Sequence, residues 1–374
     1  MIGAGVVGCA VALALARRDA NVFLLEAEPE PALGASGANS GILHTGFDSP
    51  AGELETELIL RSGELRGPAL ASLGVPIVHC GAEVRARDEH EAGTVSALRA
   101  GARANGVEVR ERAGGTLEIP GEAITDPAAY TLALAHSAQL HGAQVVTSFR
   151  VSAIERTSAS ALLVRSHDGA AVSALAAVNC AGLYADAIAR MIGDYSFQIY
   201  PRKGEFLVFD QPKGSRLERI LLPVPTKRTK GVLVFPTVDG KLIAGPTAVD
   251  QKDKGDRSVR SEARNEILPK ARTMYPPLQG LEPIAAYAGL RPAGRGVNYL
   301  LGVSGACPRL VNVAAIRSTG LSASLGLGER VCSLVESIGV ALGPERELLT
   351  GQLAGRLTAP PEPWWRRAAE RAAR

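Results

Sequence analysis

Cysteine is scarce and scattered in this chain: Cys9, Cys80, Cys180, Cys307 and Cys332 are the only five among 374 residues. No two of them form a C-x-x-C pair, which excludes a cysteine-built zinc or iron–sulfur centre and fits a reducing cytosol. Aromatic residues make up only 4% of the chain. A long apolar run is also missing. The longest, Val6–Ala16, is interrupted at Gly8 and falls short of the ~20 residues a membrane span needs. No cationic segment precedes it, so no signal peptide is expected and the reading is a cytoplasmic protein. Neither sign of charge dominates: 41 Lys and Arg against 38 Asp and Glu leave a net +3, which argues against a nucleic-acid partner.

Glycine is present in excess, at 41 residues without a G-X-Y period, and implies tight turns or places where the backbone approaches something closely. The 46% hydrophobic and 21% charged residues are those of an ordinary globular protein. The length exceeds one compact core and suits two domains, or one large α/β domain with an insertion.

The first motif opens the chain. Gly3-Ala4-Gly5-Val6-Val7-Gly8 reads G-x-G-x-x-G and leads into an apolar helical run ending at Arg17-Arg18, cations suited to a helix C-terminus. Asn21–Glu26 reads as a buried strand ending in an acid. Glu26 stands ~20 residues beyond the glycines, where a dinucleotide-binding fold places its ribose-binding carboxylate. The glycines permit the turn and close pyrophosphate approach, and the helix N-terminus offers N–H groups to the diphosphate. This spacing does not separate FAD from NAD. The strand expected before the glycines is reduced to Met1-Ile2. A start upstream is the favoured reading, because losing several buried residues would cost several kcal/mol.

Further on, strands within 76–86 and 106–119 flank a helix around 90–105. Asp126-Pro127 opens a helix reaching about His141, with proline in its first turn. Short strands follow at 143–147, 151–155 and 161–165, the last turning at Asp168-Gly169, and 172–180 leads through Ala181-Gly182 into another helix. The 200–250 region is strand-rich, with a hairpin at Asp239-Gly240. A polar helix near 261–274, strands near 285–290, 299–302 and 310–314, and a long helix from about Leu321 complete the body. The tail around Trp364-Trp365-Arg366-Arg367 reads as a loop and a short basic helix outside the core, open to peripheral membrane contact.

Five stretches carry a resemblance to the FAD-dependent oxidoreductases of the D-amino-acid-oxidase-like superfamily. They are the glycine motif through Glu26, Ala35–Asp48, Val178–Asp186, Lys230–Thr247 and Ala288–Pro292. The second and fourth resemble most closely the glycerol-3-phosphate dehydrogenase/oxidase branch. One turn departs: the family pattern Gly-Ile-x-Ser-Pro-Gly-Leu-Thr is here Ala315-Ile-Arg-Ser-Thr319-Gly320-Leu-Ser322.

The resemblance implies an α/β protein with a discontinuous Rossmann-like FAD-binding domain plus an antiparallel-sheet substrate domain. Residues 1–75, 125–196 and 280–345 would form the first, 76–124 and 197–279 the second, and 346–374 a C-terminal tail. FAD would be held by Gly3, Ala4, Gly5, Val6, Val7 and Gly8, with Glu26 and Ala27 at the ribose. Ser36, Asn39, Ser40 and Gly41 would run along the flavin and its phosphates. Val151, Ala181, Gly182 and Gly289 would complete the cradle, with Gly320, Leu321 and Ser322 at the start of the last helix. The implied reaction takes sn-glycerol 3-phosphate to dihydroxyacetone phosphate. His44, directly after the flavin loop, would remove the hydroxyl proton, the flavin would accept the hydride, and Arg291 would anchor the anion. Lys230, in a basic cluster with Lys227 and Arg228, would add positive potential for the substrate. His79, His90, His136, His141 and His167 have no assigned role, nor do Lys203 and Glu205. Two other readings compete: an L-2-hydroxyglutarate or related 2-hydroxy-acid or amino-acid oxidase, and a catalytically decayed flavin-binding homologue. The electron acceptor is open among oxygen, a quinone and a redox partner protein.

Overall fold

The computed structural model describes residues 1–158, 161–226, 231–351 and 362–373. Among them run eight α-helices: α1 (Val6–Ala16), α2 (Leu54–Ser72), α3 (Glu89–Ala104), α4 (Pro127–Leu140), α5 (Ala185–Arg190), α6 (Ala263–Met274), α7 (Gly320–Ser337) and α8 (Trp364–Ala372).

The glycine motif forms the expected strand-to-helix turn. Gly3 adopts φ +100°, and a Cβ on Gly8 would lie 1.9 Å from the Gly3 carbonyl oxygen. A side chain at Gly8 would drive the helix from the turn, and one at Gly3 would meet the Cys180 carbonyl oxygen at 2.6 Å. Helix α1 is apolar on nearly every side and is correspondingly enclosed, packed against α4 and α7. Asp126 caps α4, its carboxylate accepting from the Ala128 and Ala129 amides at 2.8 and 2.9 Å.

Phe23–Leu25 pairs in parallel with Gln144–Val146. Ile2 bridges Leu25 on one side and Asn179 on the other, both in parallel. Ala177–Asn179 then pairs in parallel with Leu310–Ala314, which takes Leu300–Val303 as an antiparallel neighbour. Helices α1, α4 and α7 share one core cluster on one face. The antiparallel meander Val151–Ser158, Ala161–Ser166, Ala171–Ala174 joins α5 in a second cluster containing Ile2, Leu25 and Leu310. Parallel strands covered on both faces are the doubly wound arrangement expected from the glycine motif.

A nine-stranded sheet forms the second layer. Its spine is the antiparallel pair Ile199–Phe209 with Ala285–Gly294, in a register that sets Arg202 opposite Arg291 and Gly204 opposite Gly289. Phe206 and Tyr287 stack on this spine at 4.8 Å. Residues 285–294, placed by the sequence with the cofactor-binding segments, therefore run in the large sheet. One neighbouring pair, Ile220–Leu222 with Ala82–Arg85, is parallel.

A small three-stranded sheet is built from Ile42–Leu43, Ala123–Thr125 and Ile77–Val78. Its antiparallel register pairs Ile42 with Ile124 and Leu43 with Ala123.

The C-terminal segment differs from the expectation of a tail outside the core. Trp364 and Trp365 of α8 are 1% and 3% exposed and belong to the same apolar cluster as Phe206 and Tyr287. Their indole N–H groups donate to the Asn39 carbonyl and to Asp239 Oδ2, each at 3.0 Å. Arg367 pairs with Glu30. Two large rings with polar tips bury their faces when each N–H finds an acceptor, so neither indole is presented to a membrane. Trp364, Trp365 and Ala368 share one helical face, and that spacing is the signal of a docked helix. Among the described residues no helix is long and apolar enough to cross a membrane.

The departing turn before α7 has a structural consequence. Ala315, where the family pattern has glycine, sits at φ +56°, a region that L-residues occupy at a cost. Its methyl is accommodated because position 294 is glycine, whose own Cβ would lie 2.8 Å from it. Ala315→Gly should therefore raise stability by about 0.5–1 kcal/mol, a gain of about 1–3 °C in melting temperature. Thermal unfolding of the purified protein checks this, and an unchanged or lower midpoint would show that the turn carries no strain.

Candidate active site

A cavity of about 1000 Å³ runs from the N-terminus of α1 to the end of the strand Ile42–Leu43. Gly3, Gly5, Val6 and Val7 line one end of it. Ala4 and Gly8 lie behind that wall, and Ala4 donates its amide to Glu26 Oε2 at 2.7 Å. The Glu28 amide donates to the other oxygen of Glu26 at 2.9 Å. Burial raises the Glu26 carboxyl above the usual range, and these two amides oppose that rise. Ser36 Oγ accepts from the Val6 amide at 2.9 Å, tying the 36–41 loop to the helix start.

Ala27, Ser36, Asn39, Ser40, Val151, Ala181, Gly182, Gly289, Gly320 and Leu321 also line the cavity. Gly41 and Ser322 do not. Gly41 accepts the Thr125 amide at 2.8 Å, joining the loop to the small sheet. Ser322 is 1% exposed, and its Oγ accepts the His44 amide at 2.8 Å. Lys230, with Lys227 and Arg228, lies outside the described residues.

These features fit a dinucleotide. The volume is at the top of the range for small-molecule sites, a helix N-terminus suits a diphosphate, and a carboxylate held at the cavity wall suits ribose hydroxyls. Residues from each segment the sequence proposed for FAD line this cavity, as do His44 and Arg291.

His44 is fixed from three directions. Its Nδ1 lies 3.0 Å from Glu122 Oε2. Its amide is bound by Ser322 at the first turn of α7, and its carbonyl accepts from Arg66 of α2 at 3.3 Å. Arg66 also donates to the Ser322 carbonyl at 3.2 Å, and burial lowers its pKa. Glu122 is wholly buried and accepts from the Thr45 amide at 2.7 Å and the Thr45 hydroxyl at 2.9 Å. Neither Glu122 nor Arg66 was anticipated from the sequence. The His44 ring keeps 19% exposure, on the cavity side.

Arg291 has no carboxylate partner among the described residues. Its guanidinium contacts only main-chain oxygens, of Arg202 at 3.5 Å and Thr247 at 3.4 and 3.5 Å. A Cβ on Gly204 would lie 2.4 Å from Arg291 Nη2, so glycine there makes room for the group. Burial, then the positive charges of Arg202 and Arg317, bring the Arg291 pKa down to about 10. It remains a cation at neutral pH, without a carboxylate partner among the described residues and facing a cavity.

Lys203 and Glu205 receive structural roles. Lys203 is 1% exposed and binds Asp256 and the Ser258 carbonyl, each at 2.9 Å. Hydrogen bonds from Ser258 and then Lys203 lower the Asp256 pKa to about 2. Glu205 binds Arg260 and the Thr247 hydroxyl at 2.6 and 2.7 Å. Together they pin the segment that brings Arg257 to the cavity. Thr319, standing where the family pattern has proline, accepts from Tyr299 Oη at 2.8 Å and donates to Glu55. Hydrogen bonds thus hold the turn where a ring would otherwise constrain it.

The chain is similar to several known proteins. A family model described as FAD dependent oxidoreductase matches residues 1–334. A glycerol 3-phosphate dehydrogenase of Caloramator mitchellensis is 31% identical over 354 residues, covering 90% of this chain and 73% of that one. An L-2-hydroxyglutarate dehydrogenase of Escherichia coli is 27% identical over 267 residues, covering 67% of this chain and 63% of that one. Among solved structures, dithionite-reduced L-α-glycerophosphate oxidase from Mycoplasma pneumoniae with FAD bound superposes with a TM-score of 0.85 at 24% identity, over 94% of this chain and 98% of that one.

Proposed function

The chain belongs to the family of FAD-dependent oxidoreductases, and from that premise we propose that it oxidises sn-glycerol 3-phosphate at C2 to dihydroxyacetone phosphate. The carrying observation is that His44, its Nδ1 already engaged, and Arg291, without a carboxylate partner among the described residues, line the same cavity as the glycine turn. When bound, FAD supplies the acceptor for the C2 hydride. The first turn of α1 with Ser36 would hold its diphosphate, Glu26 its ribose, and Gly320-Leu321 at the start of α7 its pyrimidine end, where the helix dipole favours negative charge.

The remaining chemistry belongs to the side chains. Arg291 takes the phosphate with paired N–H donors, and Arg202 and Arg317, close enough to act on its charge, add positive potential. Held at that end, the C2 hydroxyl presents its proton to His44 Nε2, and imidazole is the side chain whose ordinary pKa lies nearest neutrality. Phe206, Phe235 and Leu233 on the sheet side limit water around the reacting carbon.

A second reading follows from the same cavity. Arg202, Arg257 and Arg317 line it besides Arg291, a set that also suits the two carboxylates of L-2-hydroxyglutarate. Anaerobic mixing of the FAD-loaded enzyme with each compound separates the two. Bleaching of the visible flavin absorbance by sn-glycerol 3-phosphate is expected. Bleaching by the hydroxy acid alone would overturn the phosphate assignment, and bleaching by neither would overturn both. Recovery of colour on admitting air would identify dioxygen as the electron acceptor.

A further inference from the structure

We propose that Glu122 is the positioning residue that fixes the tautomer of His44 and supports the imidazolium formed when His44 takes a proton. This rests on the reading of His44 as the base.

The fold places the pair together. Ile42 stands opposite Ile124 and Leu43 opposite Ala123, so extending that register by one residue sets His44 opposite Glu122. Ile42–Leu43 ends as it enters the cavity, and Glu122 leaves the turn that follows Thr116–Ile119. The turn approaches closely: a Cβ on Gly121 would lie 2.9 Å from Thr45 Cγ2.

The chemistry gives the pair a direction. Glu122 Oε1 accepts from both the amide and the hydroxyl of Thr45, and the positive charge of Arg66 acts on the same carboxylate. An ionised carboxylate only accepts. Nδ1 therefore carries the proton in the 3.0 Å bond to Oε2, and Nε2 keeps its lone pair for the cavity. When a substrate hydroxyl transfers its proton to Nε2, the ring becomes a cation beside a buried anion, and that contact strengthens as charge develops. The charged groups facing the ring and its backbone are Glu122 from the 120–122 turn and Arg66 from α2, with Arg291 lining the same cavity.

The test uses FAD-loaded Glu122→Gln, Glu122→Asp and His44→Ala. In Glu122→Gln a near-isosteric amide faces Nδ1, donates to it and moves the ring proton to Nε2. Side-chain ¹⁵N NMR of His44, which needs no substrate, should report that exchange. With whichever of sn-glycerol 3-phosphate or L-2-hydroxyglutarate bleaches the wild type, Glu122→Gln should lower the limiting reduction rate about 10²-fold, with substrate half-saturation and FAD content unchanged. Glu122→Asp should recover part of that loss, and Glu122→Gln should add nothing in the His44→Ala background. If Glu122→Gln does not fold, the Asp variant alone decides, with a slowed rate at unchanged half-saturation as the supporting outcome. An unaltered His44 tautomer in Glu122→Gln overturns the proposal, as does a wild-type reduction rate in Glu122→Gln, or in Glu122→Asp where that variant alone decides, while His44→Ala is slow. Wild-type reduction in His44→Ala overturns instead the reading on which it rests.

Discussion

Replacing His44 with alanine lowers the rate of substrate-dependent flavin reduction by about 10³–10⁴-fold while FAD remains bound. The cofactor is retained because the segments proposed to hold it, from Gly3 through Ser36 to Gly320, take no support from the imidazole. The ring's hydrogen bond is to Glu122, and the contact with Ser322 is made by the His44 amide, which alanine keeps. What is lost is a proton acceptor held in one orientation. Water admitted to the vacated space is a much weaker base and is not positioned. His44→Gln would be slow for the same reason, since an amide does not accept a proton near neutral pH. Stopped-flow reduction at saturating substrate measures the effect. A rate within tenfold of wild type would remove His44 as the base.

The cofactor end of this site was legible in the sequence because its signals are local. Gly3, Gly5, Gly8 and Glu26 lie within one strand–helix–strand unit, and their spacing follows from the turn, the helix and the following strand. His44 was reachable through its place beside a flavin loop. Its environment was not. Glu122 lies 78 residues away and meets His44 through strand register, which nothing near either residue encodes. Arg66 is an arginine inside a helix, with no feature to separate it from the solvated arginines around it until α2 is packed beside α7. The docking of α8 was readable from the spacing of Trp364, Trp365 and Ala368, yet the basic residues between them suggested a surface. Ala315 and Thr319 show the complementary case. Gly294 makes room for the Ala315 methyl, though the backbone at 315 keeps its positive φ, and Tyr299 and Glu55 engage the Thr319 hydroxyl.

Arg291→Ala raises the half-saturating concentration of sn-glycerol 3-phosphate and lowers kcat/KM by about 10²–10³-fold, a loss of about 3–4 kcal/mol that falls within the range for truncating one partner of a desolvated charge pair. Among the described residues this guanidinium makes only long contacts to main-chain oxygens, while burial and two neighbouring cations disfavour its charge. An arriving dianion completes its hydrogen bonds and offsets both penalties. Arg291→Lys keeps a charge but not the planar fork, and the Gly204 surface is shaped to the larger group, so lysine should recover only part of the loss. The pH dependence has a definite sign. With its pKa brought down to about 10, free Arg291 loses its proton as pH rises through that value, so half-saturation should climb there and stay flat below it. Bound anion favours the protonated form, so the limiting rate should hold to higher pH than kcat/KM does. Neutral glycerol supplies the control, since its weak reaction should change little in Arg291→Ala. If the variant loses as much activity with glycerol as with sn-glycerol 3-phosphate, the arginine supports the fold of the site and does not read the anion.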